Sequence, residues 1–331
     1  MPKRPLSPAA VARRRRDIII QALVVAAVFG FAALIIATTA ANLRARGIPL
    51  GFEFLTDRAG FNLSETVVPF SPDDTNLRAI AAGVGNSLFV SVIVGIIATA
   101  AGLLLGIARL GANPLVDGLS RVVIEAGRNS PPILLLIFIY ALWWQVLPSD
   151  RALDLPGGSL MSIRGLAIPW PRGGADGIFI DWPTATATDI SGGLSLSPEL
   201  ATILIGLSFY TAGFIAEIVR AGLLAVPRGQ WEAAAALGLP RGLMLRRIIV
   251  PQMLRVIVPP MTSQYINIVK NSTLVIAVGY VDFLTVMGTV INKTSHAIEG
   301  TVIIIIVYLA INLGLSMLFG WVNRRVALQG R

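Results

Sequence analysis

Residues Gln230–Gln252 read QWEAAAALGLPRGLMLRRIIVPQ. The stretch is polar and bears arginines at 241, 246 and 247, yet long apolar runs stand on either side of it. Gly229 opens a run to Leu237 dominated by good helix formers, with alanine at 233–236. Gly238 suits the position just past a helix end, and Pro240 prevents continuation. Trp231, Ala234, Ala235 and Gly238 recur at i, i+3, i+4 and i+7, which predicts that they share one face. Apart from the tryptophan that face is small and smooth, so another surface can approach it closely. The following RGLMLRRIIVPQMLR, from Arg241, predicts an amphipathic segment at a membrane surface. Such a stretch is either a connection whose arginines fix topology or an elbow built for docking.

The flanking sequence supplies the membrane. The chain has 331 residues, 55% of them hydrophobic and only 14% charged. Soluble domains carry about a quarter charged residues, so an integral membrane protein is expected. There is no cysteine, which removes disulfides, thiol catalysis and cysteine metal sites. The net charge of +9 comes from arginines grouped beside apolar runs, without the interleaved aromatics of a nucleic-acid surface. Basic residues in that arrangement mark the cytoplasmic side of a membrane.

A spanning helix needs about 20 mostly apolar residues. Six candidates meet or approach that: Ile18–Ala41, Ala79–Ala108, Pro131–Leu147, Glu199–Arg220, Met261–Phe283 and Thr301–Trp321. The first follows the basic cluster Arg13–Arg16 and is longer than the apolar part of a cleavable signal, about 7–15 residues, so it reads as a retained anchor. The fifth carries Gln264, Asn267, Lys270 and Asn271 and is the least apolar. Parity requires it: the arginine-bearing elbow and Arg324–Arg325 both belong on the cytoplasmic side, so the chain between them crosses an even number of times. Both termini are then expected in the cytoplasm.

The expected division is a basic tail (1–17), an N-terminal helix (18–41), an outer segment (42–78), a transmembrane domain (79–322) and a short tail (323–331). Within the transmembrane domain, 148–198 reads as an outer loop and 221–255 as the cytoplasmic elbow. Neither outer segment holds a strand or helix period, so both are expected to be irregular, with Trp170 and Trp182 at the interface. No internal repeat is visible.

The spacing within the elbow carries a resemblance. Glu232-Ala233-Ala234, three residues, Gly238, nine residues, Ile248, one residue, Val250-Pro251 is similar to the signature loop of the permease subunits of bacterial ATP-binding-cassette (ABC) importers, with valine where the signature has leucine. RNSPPILLLIFIY, from Arg128, resembles the Arg-Gly-Thr-Pro segment of amino-acid importer permeases, with Asn129 and Ser130 in place of Gly and Thr before Pro131. YTAGFIAEIVRAGLLAVPRGQWEAA and PPMTSQYINIVKNSTLVIAVGY are similar to the same polar amino-acid branch, the histidine- and glutamine-type permeases. The likeness runs from about Ala81 to Val326. The added N-terminal helix and long outer loops look most like the general L-amino-acid permeases.

The resemblance implies an all-α integral membrane protein of about six transmembrane helices, a type I ABC importer core of five plus the N-terminal one. It also implies a bacterial inner membrane, a second permease subunit (homologous or identical), two cytoplasmic ABC ATPase subunits and a periplasmic amino-acid-binding protein. The elbow residues Trp231, Glu232, Ala233, Ala234, Gly238, Ile248 and Pro251 would couple to the ATPase. A passive channel or scaffold, or an importer of another small polar solute, are the rival readings.

Nothing points to catalysis by this chain. No G-x-x-x-x-G-K-[ST] phosphate loop exists, so ATP and its magnesium belong to the partner ATPase, and no cofactor or metal is expected here. GVGNSL at Gly83 falls short of a dinucleotide fingerprint, HAIEG is not a zinc motif, and the lone His296 reads as solvated. Polar residues inside spans are the better candidates, because a charge at the bilayer centre costs about 2.5–3.5 kcal/mol on insertion scales and usually faces a cavity or a partner. Tyr265, Asn267, Lys270, Asn271, Ser272 and Thr273 form the densest such run, with Thr211 and Glu217 as further candidates for a substrate pathway. Lys270 either lines that pathway or sits nearer the cytoplasmic surface, snorkelling or paired with Glu217 or Asp282. Glu217 lies three residues before Arg220, which predicts a local ion pair.

Overall fold

In a computed structural model, residues 8–45, 47, 50–111, 113–174, 177–185 and 190–328 are described. Ten α-helices follow in order: α1 (Pro8–Ala45), α2 (Asn76–Ala108), α3 (Pro114–Asn129), α4 (Pro132–Val146), α5 (Pro198–Leu224), α6 (Arg228–Ala236), α7 (Arg241–Met244), α8 (Val250–Asn271), α9 (Phe283–Thr294) and α10 (Ala297–Leu328). Among the described residues four helices are long and apolar enough to cross a membrane, namely α1, α2, α5 and α10. The number rises to six if the bent pairs α3–α4 and α7–α8 with α9 each count as one span.

The centre is the α2–α5 crossing, and small residues make it. Ala98, Gly102 and Gly106 repeat every four residues along one buried stripe of α2. A Cβ on Gly102 would stand 2.6 Å from Ile215 Cγ2, and one on Gly106 would stand 2.7 Å from the Ala216 carbonyl oxygen. Two backbones approach this closely only where side chains are missing. Around the crossing, Val90, Val94, Leu136, Ile203, Leu207 and Ile268 form one core cluster, and Ala212, Ile215, Val219, Ile249, Met253 and Ile257 belong to a second.

The α3–α4 connection corrects the third expected span. Pro131–Leu147 yields a helix of 15 residues, and α3 meets it at 107°. Pro131 and Pro132 cannot donate the hydrogen bonds that would continue α3, and Ser130 takes an extended backbone. The fifth span also differs from the expected Met261–Phe283. Its helix already starts at Val250 and tightens to a 3-10 helix at Ser272–Val278. It then turns at Gly279 (φ 81°), leaving α9 as a separate helix in what read as an outer loop.

The segment 148–198 is not irregular. It holds a four-stranded antiparallel sheet ordered β1 (Leu153–Leu155), β2 (Ser159–Ser162), β3 (Gly165–Ile168) and β8 (Leu194–Leu196). Two two-stranded ladders, β4 (Trp170–Gly174) with β5 (Gly177–Asp181) and β6 (Thr184–Ala185) with β7 (Ile190–Ser191), complete it. Strands this short carry too little alternation to read, and their turns are set by glycines with positive φ at 157, 158, 192 and 193.

The segment 50–75 carries a 3-10 turn (Glu53–Leu55) and an antiparallel bridge between Arg58 and Thr75, and it is firmly attached. Asn86, fully buried on α2, accepts from the Val67 amide (2.9 Å) and donates to the Glu65 and Val281 carbonyls (both 2.7 Å). Asn76 donates to the Phe54 carbonyl (2.8 Å), and the Ser87 hydroxyl accepts from the Phe283 amide (3.0 Å). His296 is half-buried rather than fully solvated: its ring stacks on buried Phe54 at 4.6 Å, and its Nδ1 is buried without a partner among the described residues.

Candidate functional site: an exposed elbow and a polar helix stripe

The elbow begins where α5 ends. After Val226, buried against Ile249, Met253 and Ile257, Pro227 starts α6, a helix of nine residues. Its far end closes with two bonds, Gly238 N–H to the Ala235 carbonyl (2.9 Å) and Leu239 N–H to the Ala234 carbonyl (3.2 Å). This is a Schellman closure, and it needs the left-handed backbone that Gly238 adopts (φ 68°). No atom lies within 4 Å of where a Cβ on Gly238 would stand, so backbone conformation, not space, calls for glycine.

The face expected to receive another surface is partly used internally. Ala234 is fully buried, and Trp231 is half-buried against the cluster that holds Ile249 and Met253. Glu232, Ala233, Ala236 and Leu237 face outward instead, with Leu237 77% exposed. The free surface is thus one small-residue patch with a carboxylate and a leucine. Ile248 and Pro251 lie in the return limb, where a π-helical turn at Leu245–Ile249 precedes α8. Pro251 has no amide proton to bond its i−4 carbonyl, which accounts for the loosened turn. Gln252 donates to the Ile248 carbonyl (3.0 Å), and Ile249 anchors the limb with no exposure.

Above the elbow, charged side chains from three helices meet. Glu217 of α5 accepts from Arg220 (2.9 Å) and from Arg109 at the end of α2; Arg109 also reaches Asp117 of α3 (3.4 Å). The Glu217–Arg220 pair expected from spacing is present. Arg109 joins it, which no local spacing could indicate. Arg128 lies over the Phe214 ring at 5.4 Å, and the Ser130 hydroxyl donates to the Ala126 carbonyl (2.7 Å). Arg128, Asn129, Ser130 and Pro131 therefore form the bend between α3 and α4.

The polar run of the fifth span divides between two faces of α8 and its 3-10 continuation. Val256, Pro260, Ser263, Asn267 and Lys270 are all exposed, at alternating intervals of four and three residues along α8. Asn271, half-buried, lies beside this stripe. Tyr265 points elsewhere: its hydroxyl bonds Thr99 of α2 (2.9 Å), and its ring stacks on Phe319 of α10 at 4.9 Å. Ser272 is 1% exposed and donates to the Val269 carbonyl (2.8 Å), while Thr273 donates to the Lys270 carbonyl (2.8 Å). Both hydroxyls thus satisfy carbonyls at the end of α8. Thr211 is 3% exposed inside α5.

Lys270 does not pair with either expected carboxylate. Asp282 caps α9 through the Thr285 amide (2.8 Å), and Glu217 is held by its arginines. Nor is Lys270 near the arginine-rich end. Helical rise puts it about 30 Å along α8 from Val250. There its neighbour Ile268 packs in the cluster with Leu200 and Tyr280, at the end of the bundle that carries the strands.

Residues 98–328 match the family described as "Binding-protein-dependent transport system inner membrane component". The chain is 37% identical to the general L-amino acid transport system permease protein AapQ of Rhizobium johnstonii, over 96% of this chain and 93% of that protein. It is 32% identical to the glutamate/glutamine/aspartate/asparagine transport system permease protein BztB of Rhodobacter capsulatus, over 88% of each. In fold it is similar to a chain from the crystal structure of an amino acid ABC transporter with histidines, at TM-score 0.56 and 21% identity, covering 75% of this chain and 94% of that one. With an apolar helical bundle, a capped elbow and this match, the chain belongs to the binding-protein-dependent transport system inner membrane components.

Proposed function

We propose that the chain is a permease subunit of an ATP-driven amino-acid importer, pressed at its elbow by a separate ATPase. The observation that carries this reading is the elbow itself. Its α6 leaves the bundle, is closed by a positive-φ glycine, seats Ala234 and Trp231 on the chain's own core, and leaves Glu232, Ala233, Ala236 and Leu237 uncovered. A lever needs both halves: a rigid seat on the moving part and an open surface for the part that pushes.

The exposed stripe of α8 supports a two-fold arrangement. Its four-and-three spacing is that of a helix facing another helix, so a second permease subunit would complete a pathway lined by Ser263, Asn267 and Lys270 with Asn271 beside them. Lys270 offers a cation to an amino-acid carboxylate, and the asparagines offer both donors and acceptors. The amino-acid cargo follows from the relatives, whose names specify L-amino acids broadly or acidic amino acids and their amides. A periplasmic binding protein would deliver it at the strand-bearing end, and two ATPase subunits would bind ATP and magnesium below the elbow. ATP binding would favour one orientation of the pathway and hydrolysis the other, a two-state exchange set by differential affinity.

The test is reconstitution of the assembled transporter in vesicles. Uptake is expected to require ATP on the elbow side, and Glu232→Lys is expected to leave membrane insertion intact while separating ATP hydrolysis from uptake. Uptake that proceeds without ATP, or wild-type coupling in Glu232→Lys, contradicts the reading.

A further inference from the structure

We infer that a polar recess at the strand-bearing end binds a primary ammonium group, that of the amino acid entering the pathway. The inference rests on the import reading for the identity of the ligand, but not for the chemistry of the recess. The recess has a volume of about 370 Å³ and is lined by Ser64, Glu65, Arg164, Ser197, Glu199 and Tyr280 among others. Three distant segments therefore converge: the tethered outer segment, the sheet running into the start of α5, and the turn that follows the 3-10 helix.

Each carboxylate is aimed by one neutral hydroxyl. Glu65 Oε2 accepts from the Ser197 hydroxyl (2.7 Å), and Glu199 Oε1 accepts from the Tyr140 hydroxyl (2.8 Å). Ser197 is itself fixed, because its oxygen also caps α5 by accepting from the Leu200 amide (3.0 Å). Each carboxylate keeps its second oxygen uncommitted, and among the described residues neither forms an ion pair. Arg164 has an interaction of its own.

Tyr280 supplies the independent indication of a ligand. It is only 3% exposed, packed in the core cluster with Leu136, Leu200 and Ile268, yet it lines the recess. Its hydroxyl has no hydrogen-bond partner among the described residues. The hydroxyl is not sealed in the core: it opens onto the recess, where the phenol oxygen and two half-used carboxylates stand together with acceptor capacity to spare. The acceptors available are one oxygen of Glu65, one of Glu199 and the phenol oxygen. An alkylammonium carries three N–H donors and one positive charge, which matches that set in number and sign. A quaternary ammonium has the charge without the donors.

The experiment uses the assembled transporter in lipid nanodiscs, with ethylammonium and tetramethylammonium as probes read by saturation-transfer NMR. Ethylammonium is expected to bind and tetramethylammonium is not. Glu199→Gln and Tyr280→Phe are each expected to weaken ethylammonium about tenfold, the size of one lost hydrogen bond to a charged group. Both replacements keep shape, and Glu199→Gln keeps an acceptor for Tyr140. In vesicles the same variants are expected to raise the KM for amino-acid uptake about fivefold, the same loss partly shared by other contacts. No ethylammonium binding to the native complex, equal binding of the two ions, or unaltered binding in both variants overturns the inference. Weaker docking of the outer binding protein to the variants, without ethylammonium binding, also overturns it and assigns the recess to a lysine of that protein. Ethylammonium binding by a native complex that takes up no amino acid supports the ammonium site and removes the import reading instead.

Discussion

At the scale of single residues, the chain's most consequential positions are those where chemistry and backbone demand coincide. Gly238 ends α6 in a conformation that costs an ordinary L-residue about 1–2 kcal/mol. Gly238→Val is therefore expected to loosen the closure onto Ala234 and Ala235 without touching the core, since no atom crowds the site. Measured as amino acid taken up per ATP hydrolysed, coupling should fall severalfold while the amount of inserted protein is unchanged. Lys270 is the other case. It is exposed and far along α8 from the elbow, and Asp282 and Glu217 are engaged elsewhere. Lys270→Ala is expected to lower uptake and to shift preference away from acidic amino acids in competition assays; unaltered uptake and preference would remove it from the pathway. Gly238 was legible from sequence because a helix terminator is a local matter. The division of the polar run was not, because whether Tyr265 faces Thr99 and Phe319 or the pathway depends on helices far away in sequence.

Among elements, the α2–α5 pair governs. Its stripe of Ala98, Gly102 and Gly106 has no room at 2.6 Å and 2.7 Å for a side chain, so Gly102→Leu is expected to force the helices apart. Overpacking of this kind costs about 1–3 kcal/mol, and a lower midpoint of thermal unfolding, followed by tryptophan fluorescence in detergent, is the readout. The four-residue repeat of small residues is visible in the sequence and could have identified the crossing. Four of the six expected spans emerged as long helices because hydropathy alone marks them. The other two are bent pairs, and their bends depend on Pro131, Pro132 and Gly279, which were visible without indicating an angle. The strands of 153–196 escaped notice because runs of two to five residues have no measurable period. Their register comes from positive-φ glycine turns and from antiparallel pairing such as Leu160 with Ala167.

For the whole molecule, the absence of cysteine makes orientation directly testable. Ile178, 84% exposed on β5, and Leu237, 77% exposed after α6, flank the long apolar helix α5, so the proposed topology puts them on opposite sides of the membrane. Single Ile178→Cys and Leu237→Cys variants are expected to react differently with a membrane-impermeant maleimide in intact cells: the first labels at once, the second only after permeabilisation. The reverse pattern would invert the topology and remove the elbow from the reach of any cytoplasmic engine. The tight seam between α2 and α5 has a further consequence for movement. Two rods meshed at backbone contact have no slack in which to slide, so they travel as a single beam. A push delivered at the elbow, as proposed above, would then be absorbed where the chain is already creased, at Ser130–Pro131 and around Gly279. In the proposed transporter these creases would be the pivots about which the beam swings.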